Sequence, residues 1–495
     1  MKTLEQLCAA ALGRNGEQQA IEFEGHWYNW GQMRHVADQV LGLLEKNGVD
    51  RKASITFIPR NRPSALATLL ALMSQGRNIR MLYAFQSATS LANQIAQQKP
   101  AVVIAAKREF APQVNAVLAK HGITGIAIEE MDAHTVTDGE SCTTVASGET
   151  AEPQIEILTS GTTGTPKQFS ISYALITKFM VGDRLLSGEQ FDFSNEPPTL
   201  LFFPLGNITG VHTTIPALLK GQRIVLLDRF DLDRWHDFVV RYRPTASGMP
   251  PAAMQMLLDA NVPPEDLSSI KTMGVGAAPL DPTIQRTFEQ RYNIPVLLSY
   301  GATEFGGPVT AMTADLYAQW GKQKIGSVGR AIPGFQLRVV DTDTHAELPP
   351  GDEGILEVIS PRIGSHWIRT SDVAMIDKDG FLFLRGRADG AIMRGGFKVL
   401  PETIERALLQ HPAVSAVSVV GIPDKRLSEA PGAAVQIKSS WQQPTVEALE
   451  SHLREHVMAT HIPVHWRFVD TLPKTPSFKV DRPAVKRLFL EDAQA

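Results

Sequence analysis

Cysteine is nearly absent from this 495-residue chain: Cys8 and Cys142 are its only two, far apart in sequence. That excludes a disulfide framework and a cysteine-based zinc cluster, and it makes a reducing, cytoplasmic setting the expectation. Long apolar runs are missing too. None approaches the roughly 18 residues of a membrane span, and the patch over residues 7–12, with one lysine ahead of it, is too short and too weakly flanked for a secretory signal. Neither sign of charge dominates, since 48 Lys and Arg stand against 52 Asp and Glu for a formal net charge of −4. No basic field therefore exists for nucleic acid. Internal repeats and low-complexity tracts are absent, and no Gly-x-Ser-x-Gly elbow supports a serine hydrolase. What remains is an ordinary globular composition, 43% hydrophobic and 20% charged, on a chain long enough for about three domains.

The patterning predicts an α/β protein. Residues 20–23 and 26–30 read as a hairpin around Glu24 and Gly25, followed by helical spacing over 31–46. Short apolar runs at 53–58 and 101–106 alternate with helical segments that begin at Pro63 and Ser90, the pattern of a parallel sheet with helices packed on it. Residues 134–153, rich in Thr, Ser, Gly and Glu, read as a linker or surface loop. Further strands are expected at 200–203, 223–227, 270–275 and 296–300, and helices at 232–241, 251–260 and 281–291. From 334 to 384 short strands and Gly/Pro/Asp turns replace the alternation, giving a β-rich subdomain. A small α+β domain closes the chain, with a helix starting at Pro401, a strand at 414–420 and a helix over 445–460. The expected division is a large domain 1–386, a hinge at 387–390 and a small mobile domain 391–495.

Five stretches carry chemistry. In the first, Thr159, Ser160, Gly161, Thr162 and Thr163 run into Gly164, Pro166 and Lys167, directly after the apolar run 155–158. Glycines let a backbone turn its N–H groups toward a ligand, hydroxyls add donors and a lysine supplies a point charge for phosphate. The ending Gly-Lys-Ser/Thr of the common phosphate loop is not there. The second stretch, Gly274 to Leu280, offers small residues at a strand end, where tight packing or a flat ring would account for them. It lacks the third glycine of a dinucleotide fingerprint. The third is Tyr300, Gly301, Ala302, Thr303 and Glu304 at the end of an apolar strand, the edge at which open α/β sheets bind ligands. It provides a ring for stacking, a hydroxyl for phosphate and a carboxylate for a metal ion. The fourth and fifth are Thr370-Ser371-Asp372 and the loop 473–479 ending in Lys479.

In order and rough spacing these stretches, together with residues 386–389 and 394–399, resemble the adenylate-forming superfamily of acyl-CoA synthetases, luciferases and peptide-synthetase adenylation domains. The resemblance spans nearly the whole chain and implies a stand-alone acyl- or aryl-CoA ligase. Such an enzyme lets a carboxylate attack the α-phosphate of ATP, releases pyrophosphate from an acyl-adenylate, and then lets a thiol displace AMP. The residues from Thr159 through Lys167 would hold the β- and γ-phosphates. Gly276, Ala277, Ala278 and Tyr300 with Gly301 and Ala302 would enclose the adenine, Thr303 would touch the α-phosphate and Glu304 would bind Mg²⁺. Asp372 and Arg387 would hold the ribose, Lys479 would act at the reacting carboxylate, and Asp389 would be the hinge. Asn207 and Ile208 would border the acid, and Gly395, Gly396 and Phe397 would line the passage for coenzyme A. ATP, Mg²⁺, coenzyme A and a hydrophobic acid, whether aryl, alicyclic or medium-chain, are the implied ligands. An acyl carrier protein is the alternative acceptor, although no carrier sequence is appended, and a homodimer is the default assembly.

The chain departs from the family pattern at three places. Ser371 stands where glycine is usual, Phe478 replaces a glycine before Lys479, and Asn207 replaces an aromatic or histidine. Residues 359–370 also read as shortened. Two decoys fall away. The His452 to His456 spelling of an inverted zinc-protease motif lies on a charge-rich helix where a solvated face is expected, and the sequon at Asn207 means nothing in a cytoplasmic protein.

Overall fold

The computed structural model describes residues 2–137, 152–159, 167–189, 191–394, 397–424, 428–475 and 479–491. The chain divides into two compact units, residues 1–244 with 302–307, and residues 245–301 with 308–495.

The first unit is built around one helix. Pro63–Ser74 reads Pro-Ser-Ala-Leu-Ala-Thr-Leu-Leu-Ala-Leu-Met-Ser, apolar on every face, and it is buried from Pro63 through Met73. A helix of that composition has no solvent side and must be enclosed. Helices Leu4–Leu12 and Trp30–Lys46 pack on it, each started by a reciprocal capping box, at Thr3 with Gln6 and at Asn29 with Gln32. Beside them runs a seven-stranded sheet in the order Asp132–Thr135, Thr124–Glu129, Val102–Ala106, Ser54–Ile58, Asn78–Met81, Gln154–Thr159, Lys167–Ser172. Its five inner strands are parallel and its two outer pairings antiparallel. The 20–30 hairpin forms as expected, Gln19–Phe23 against His26–Asn29, with Glu24 and Gly25 both at positive φ, 51° and 82°. That is the geometry a two-residue hairpin turn requires. These strands belong to a second sheet with Ile224–Leu226 and Thr199–Leu201.

Asn61, just beyond strand Ser54–Ile58, joins the two sheets. It is 2% exposed. Its Nδ2 donates to the carbonyls of Phe203 at 3.1 Å and Leu227 at 3.0 Å, and its Oδ1 accepts from the Leu205 amide at 3.0 Å. One carboxamide thus satisfies three backbone groups at the ends of neighbouring strands. Leu205 leads into Asn207, whose side chain caps helix Ile208–Lys220 through the Gly210 amide at 2.8 Å. A Cβ on Gly210 would lie 2.1 Å from the Pro204 carbonyl oxygen, so only glycine allows this helix to start against its own approach segment.

The second unit opens with a sheet whose first three strands, Ala246–Met249, Thr272–Val275 and Val296–Ala302, are parallel. The β-rich stretch is an antiparallel sheet of Gln336–Val340, Glu353–Ile359, Ile368–Ile376 and Leu382–Arg387. The closing segment is α+β: strands Ile392–Arg394, Phe397–Val399, Val414–Asp424, Ser428–Ile437 and His465–Phe468 pack through Ile392, Val419, Val435 and Leu449 against helices Pro401–Leu409 and Val446–Arg454. The helix expected over 445–460 stops at Arg454. Residues beyond it pass into a short turn at Ala459–His461, because the apolar stripe ends with Leu449 and Leu453. Strands at Asn78–Met81 and Thr124–Glu129 and the helix Arg482–Leu490 carry no strong local signal and appear only in the structure. Within residues 134–153 the expected loop gives way at its start to strand Asp132–Thr135.

Cys8 is buried and free, and burial pushes its thiol well above the usual range, which removes it as a nucleophile. No helix among the described residues is long and apolar enough to cross a membrane. Replacing Asn61 with Ala is expected to destabilise the protein by about 3 kcal/mol, since three buried backbone groups lose their partner at once. Urea unfolding measures it; a loss under about 0.5 kcal/mol would show that these groups find other partners.

Candidate active site

In the second unit the three parallel strands end at Met249, Val275 and Ala302, and ligand chemistry in open α/β sheets belongs at such carboxyl ends. Gly276 follows the middle strand. An added Cβ there would lie 2.7 Å from the Ser299 Oγ, so the glycine permits two neighbouring strand ends to close on each other. Ala277 adopts φ +67° and is exposed. An L-residue pays about 1 kcal/mol for that conformation, strain of the kind that gathers at functional sites.

Tyr300 comes from the last parallel strand and Asp372 from the antiparallel sheet, 72 residues later, and the tyrosine hydroxyl donates to Asp372 Oδ2 at 2.5 Å. Thr370 accounts for its own place in the motif: its hydroxyl donates to the Leu356 carbonyl at 2.8 Å and accepts from the Asp372 amide at 2.9 Å. Directly across the strand pair from Asp372 stands Arg387. Its guanidinium donates to both oxygens of Asp389, at 2.9 and 2.6 Å, and to the hydroxyl of Ser371 at 2.5 Å. The hydrogen bonds that Arg387 donates to Asp389 raise the arginine's pKa, with Asp372 adding to the shift, and Arg387 in turn holds Asp389 below the usual carboxylate range. Ser371, the departure from glycine, is thus an acceptor for the arginine beside it. Sequence reasoning expects Tyr300, Asp372 and Arg387 at the nucleotide and Asp389 at the hinge; in the structure the four lie beside one another.

The remaining expected residues are placed as follows. Thr303 and Glu304 lie on the 3-10 turn Thr303–Phe305 in the first unit, Thr303 half-buried and Glu304 exposed. Thr159 and Lys167 are the last facing pair of two antiparallel strands. Ser160, Gly161, Thr162, Thr163 and Gly164 lie outside the described residues, as do Gly395, Gly396 and Phe478. Phe397 pairs with Arg394 across the two glycines. Lys479 is exposed; its amide donates to the Thr475 hydroxyl at 3.2 Å, and the Thr475 amide donates to its carbonyl at 2.7 Å, closing the loop at its base.

Asn207 differs in part from expectation. Its Oδ1 accepts from the Gly210 amide, so this side chain serves the helix start. Residues 208, 209, 212, 213 and 216 are half-buried while their neighbours in the helix are mostly buried, and this spacing places them on one face. Two contributors escaped sequence reasoning: Asn61 and His212. The signal for the second was the glycine pair Gly306 and Gly307, which has no turn-composition reason to be doubled.

Among the described residues no group of three or more His, Cys, Asp or Glu side chains could hold a metal by itself. A single exposed carboxylate such as Glu304 fits Mg²⁺, an ion that triphosphate oxygens and water largely coordinate. The histidines of the zinc-protease spelling serve the backbone instead: His452 Nε2 donates to the Ala407 carbonyl at 2.9 Å and His456 Nδ1 to the His452 carbonyl at 2.8 Å.

At the parallel strand ends a tyrosine, an aspartate and an arginine converge from two sheets. The chain belongs to the AMP-binding enzyme family, whose model matches residues 8–365, and the AMP-binding enzyme C-terminal domain matches residues 403–479. It is 27% identical over 498 residues to an indoleacetate–CoA ligase of Aromatoleum aromaticum, covering 95% of this chain and 94% of that protein. It is 24% identical to 4-coumarate–CoA ligase 1 of Petroselinum crispum, covering 92% of this chain and 88% of that protein. The crystal structure of ATP-bound MatB from Rhodopseudomonas palustris shares the fold with a TM-score of 0.80 at 23% identity, covering 98% of this chain and 99% of that one.

Tyr300→Phe removes one charge-assisted hydrogen bond and keeps the ring. ATP affinity measured by calorimetry is expected to fall about fivefold, or about 1 kcal/mol, and Tyr300→Ala is expected to cost more. Unchanged affinity in both variants would remove Tyr300 from the nucleotide site.

Proposed function

We propose that the protein is an ATP-dependent carboxylate:CoA ligase that activates a hydrophobic acid of the aryl class. The observation that carries this reading is the convergence of Tyr300, Asp372 and Arg387, residues distant in sequence, on one side of the second unit. The choice of coenzyme A and of an aryl acid draws on the two ligases named above, which match over nearly their whole length.

Chemically, an acid oxygen attacks the α-phosphorus of ATP, the bond to the β-phosphate oxygen breaks, and pyrophosphate leaves with that electron pair. A thiolate then attacks the acyl carbon and AMP departs. In this scheme Tyr300 stacks on the adenine between strand ends opened by Gly276 and Ala277, and Asp372 accepts from the ribose hydroxyls. Arg387 lies beside Asp372 in the same site. The hairpin connection between Thr159 and Lys167 holds the β- and γ-phosphates. Thr303 binds the α-phosphate, and Glu304 holds Mg²⁺, which supplies charge neutralisation on the triphosphate. Lys479, on an exposed loop closed at its base, offers its ammonium to the charge gathering between acid and α-phosphate, where placement matters more than affinity.

We assign the domains as 1–386, a hinge at 387–390 and 391–495, with Asp389 as the pivot. Any rotation there must break or carry the bidentate pair with Arg387. Asn207 and Ile208 begin the half-buried helix face that borders the acid, and residues 395–397 serve the pantetheine arm.

Lys479→Ala is expected to slow acid-dependent pyrophosphate release by about 100-fold or more while leaving ATP binding within about threefold. An equal loss in both would make Lys479 a binding group only. An acid panel with ATP and Mg²⁺, run with free CoA and with a phosphopantetheinyl carrier, tests the acceptor. Transfer to the carrier but not to CoA would replace the ligase reading with a carrier-loading one.

A further inference from the structure

His212 lies on the half-buried face of helix Ile208–Lys220, one turn after Ile208. Its Nε2 sits 2.7 Å from the carbonyl oxygen of Gly306, 94 residues away. A carbonyl only accepts, so this nitrogen carries the hydrogen, in the neutral ring and in the imidazolium alike. The contact with the following residue is tighter still. A Cβ on Gly307 would lie 2.2 Å from Nε2, 2.8 Å from Cε1 and 2.9 Å from Cδ2 of the same ring. The imidazole therefore fills the space that a side chain at 307 would need. Gly307 has φ +117°, a conformation that itself favours glycine. His212 and Gly307 are one fitted pair.

What this pair holds is the turn Thr303–Phe305. The Gly306 amide closes that turn by donating to the Thr303 carbonyl at 2.9 Å, with Gly306 at φ +70°. Its carbonyl is taken by His212, and Phe305, 2% exposed, anchors the turn from beneath. Thr303 and Glu304 thus project from a turn restrained at three points. Two of these are local to the turn. His212 ties it to helix Ile208–Lys220, and Asn207 caps the start of that helix.

We infer that His212 is a positioning residue for adenylation: through Gly306 and Gly307 it fixes the turn that presents Thr303 and Glu304, and so sets the metal-dependent part of ATP binding. The inference rests on the reading of Glu304 as the metal-side carboxylate. Outer groups that orient a metal-side ligand commonly govern affinity or rate by about 10- to 100-fold.

The test uses the full-length protein. Calorimetric ATP affinity is measured with Mg²⁺ and with EDTA, the Mg²⁺ half-saturation of pyrophosphate release is measured alongside, and melting temperatures are recorded for each variant. For His212→Ala the gain in ATP affinity brought by Mg²⁺ is expected to fall about tenfold, with a smaller loss in EDTA, where only the Thr303 contact is affected. His212→Gln, which keeps an N–H donor at similar reach, is expected to recover most of it, and Gly307→Ala to reproduce the loss. A lower melting temperature with wild-type Mg²⁺ dependence in His212→Ala would reduce His212 to a packing residue and overturn the inference. Should that variant fail to fold, His212→Asn and His212→Gln, polar side chains of different reach, are compared in the same assays. Equal Mg²⁺ dependence in the two would overturn it as well. Glu304→Gln separates the two layers: if it leaves Mg²⁺ dependence untouched, the metal-side reading of Glu304 fails and takes the inference with it. A defect in Glu304→Gln without one in His212→Ala defeats the inference alone.

Discussion

The first unit depends on a single buried carboxamide. Asn61 closes three backbone hydrogen bonds that neither sheet can close for itself, because each lies just beyond the last strand pairing. An unmade bond at such a place costs more than a made bond gains. From Asn61 the order propagates along covalent and contact neighbours. Leu205 is held by its amide, the Pro204 carbonyl sits where only a glycine at 210 can pass, Asn207 caps the helix, and His212 carries the restraint to Gly306. No link in this series is a strong interaction. Its effect comes from each link leaving the next one conformation.

The second unit reaches order by a different route. Tyr300, Asp372, Arg387, Asp389 and Ser371 hold one another. Such mutual hydrogen bonding fixes side-chain rotamers before a ligand arrives, which lowers the ordering cost of binding. In the proposed site it also imposes competition, since a ribose hydroxyl would share Asp372 with the Tyr300 hydroxyl. A carboxylate has about four acceptor sites, so sharing is feasible, and one oxygen already directed by the tyrosine leaves the other oriented.

The sequence was most informative where physics is local. The hairpin turn at Glu24 and Gly25, the all-apolar helix Pro63–Ser74, the capped helices and the strand carrying Tyr300 all follow from period and turn chemistry. The residues proposed to hold the nucleotide were legible as motifs and as a resemblance to a family. Their mutual contacts were not, because Tyr300 and Asp372 are 72 residues apart and nothing in either stretch encodes the other. Asn61 and His212 escaped for the same reason. A lone Asn after a strand is an ordinary turn residue, and a lone His on a helix an ordinary surface one, until the partner at distance 142 or 94 is known. The closing helix over 445–460 was overextended because polar residues past Leu453 keep helical propensity while offering nothing to bury.

Ser371 shows how a departure from a family pattern can be absorbed. With glycine at that position, Arg387 would have Asp389 as its charged partner and no hydroxyl beside it. Here Nη2 also meets the Ser371 Oγ, so the guanidinium is held from strand Ile368–Ile376 as well as from the 388–390 turn. The arginine facing Asp372 is thereby fixed more firmly. The same contact ties the residue next to the turn back to the sheet. The Ser371 hydroxyl also hydrogen-bonds the Asp389 carboxylate, so serine, arginine and aspartate form one closed group. If Asp389 is the pivot proposed above, a motion there must separate the carboxylate from both partners at once, and the serine raises the cost of that separation where a glycine would not.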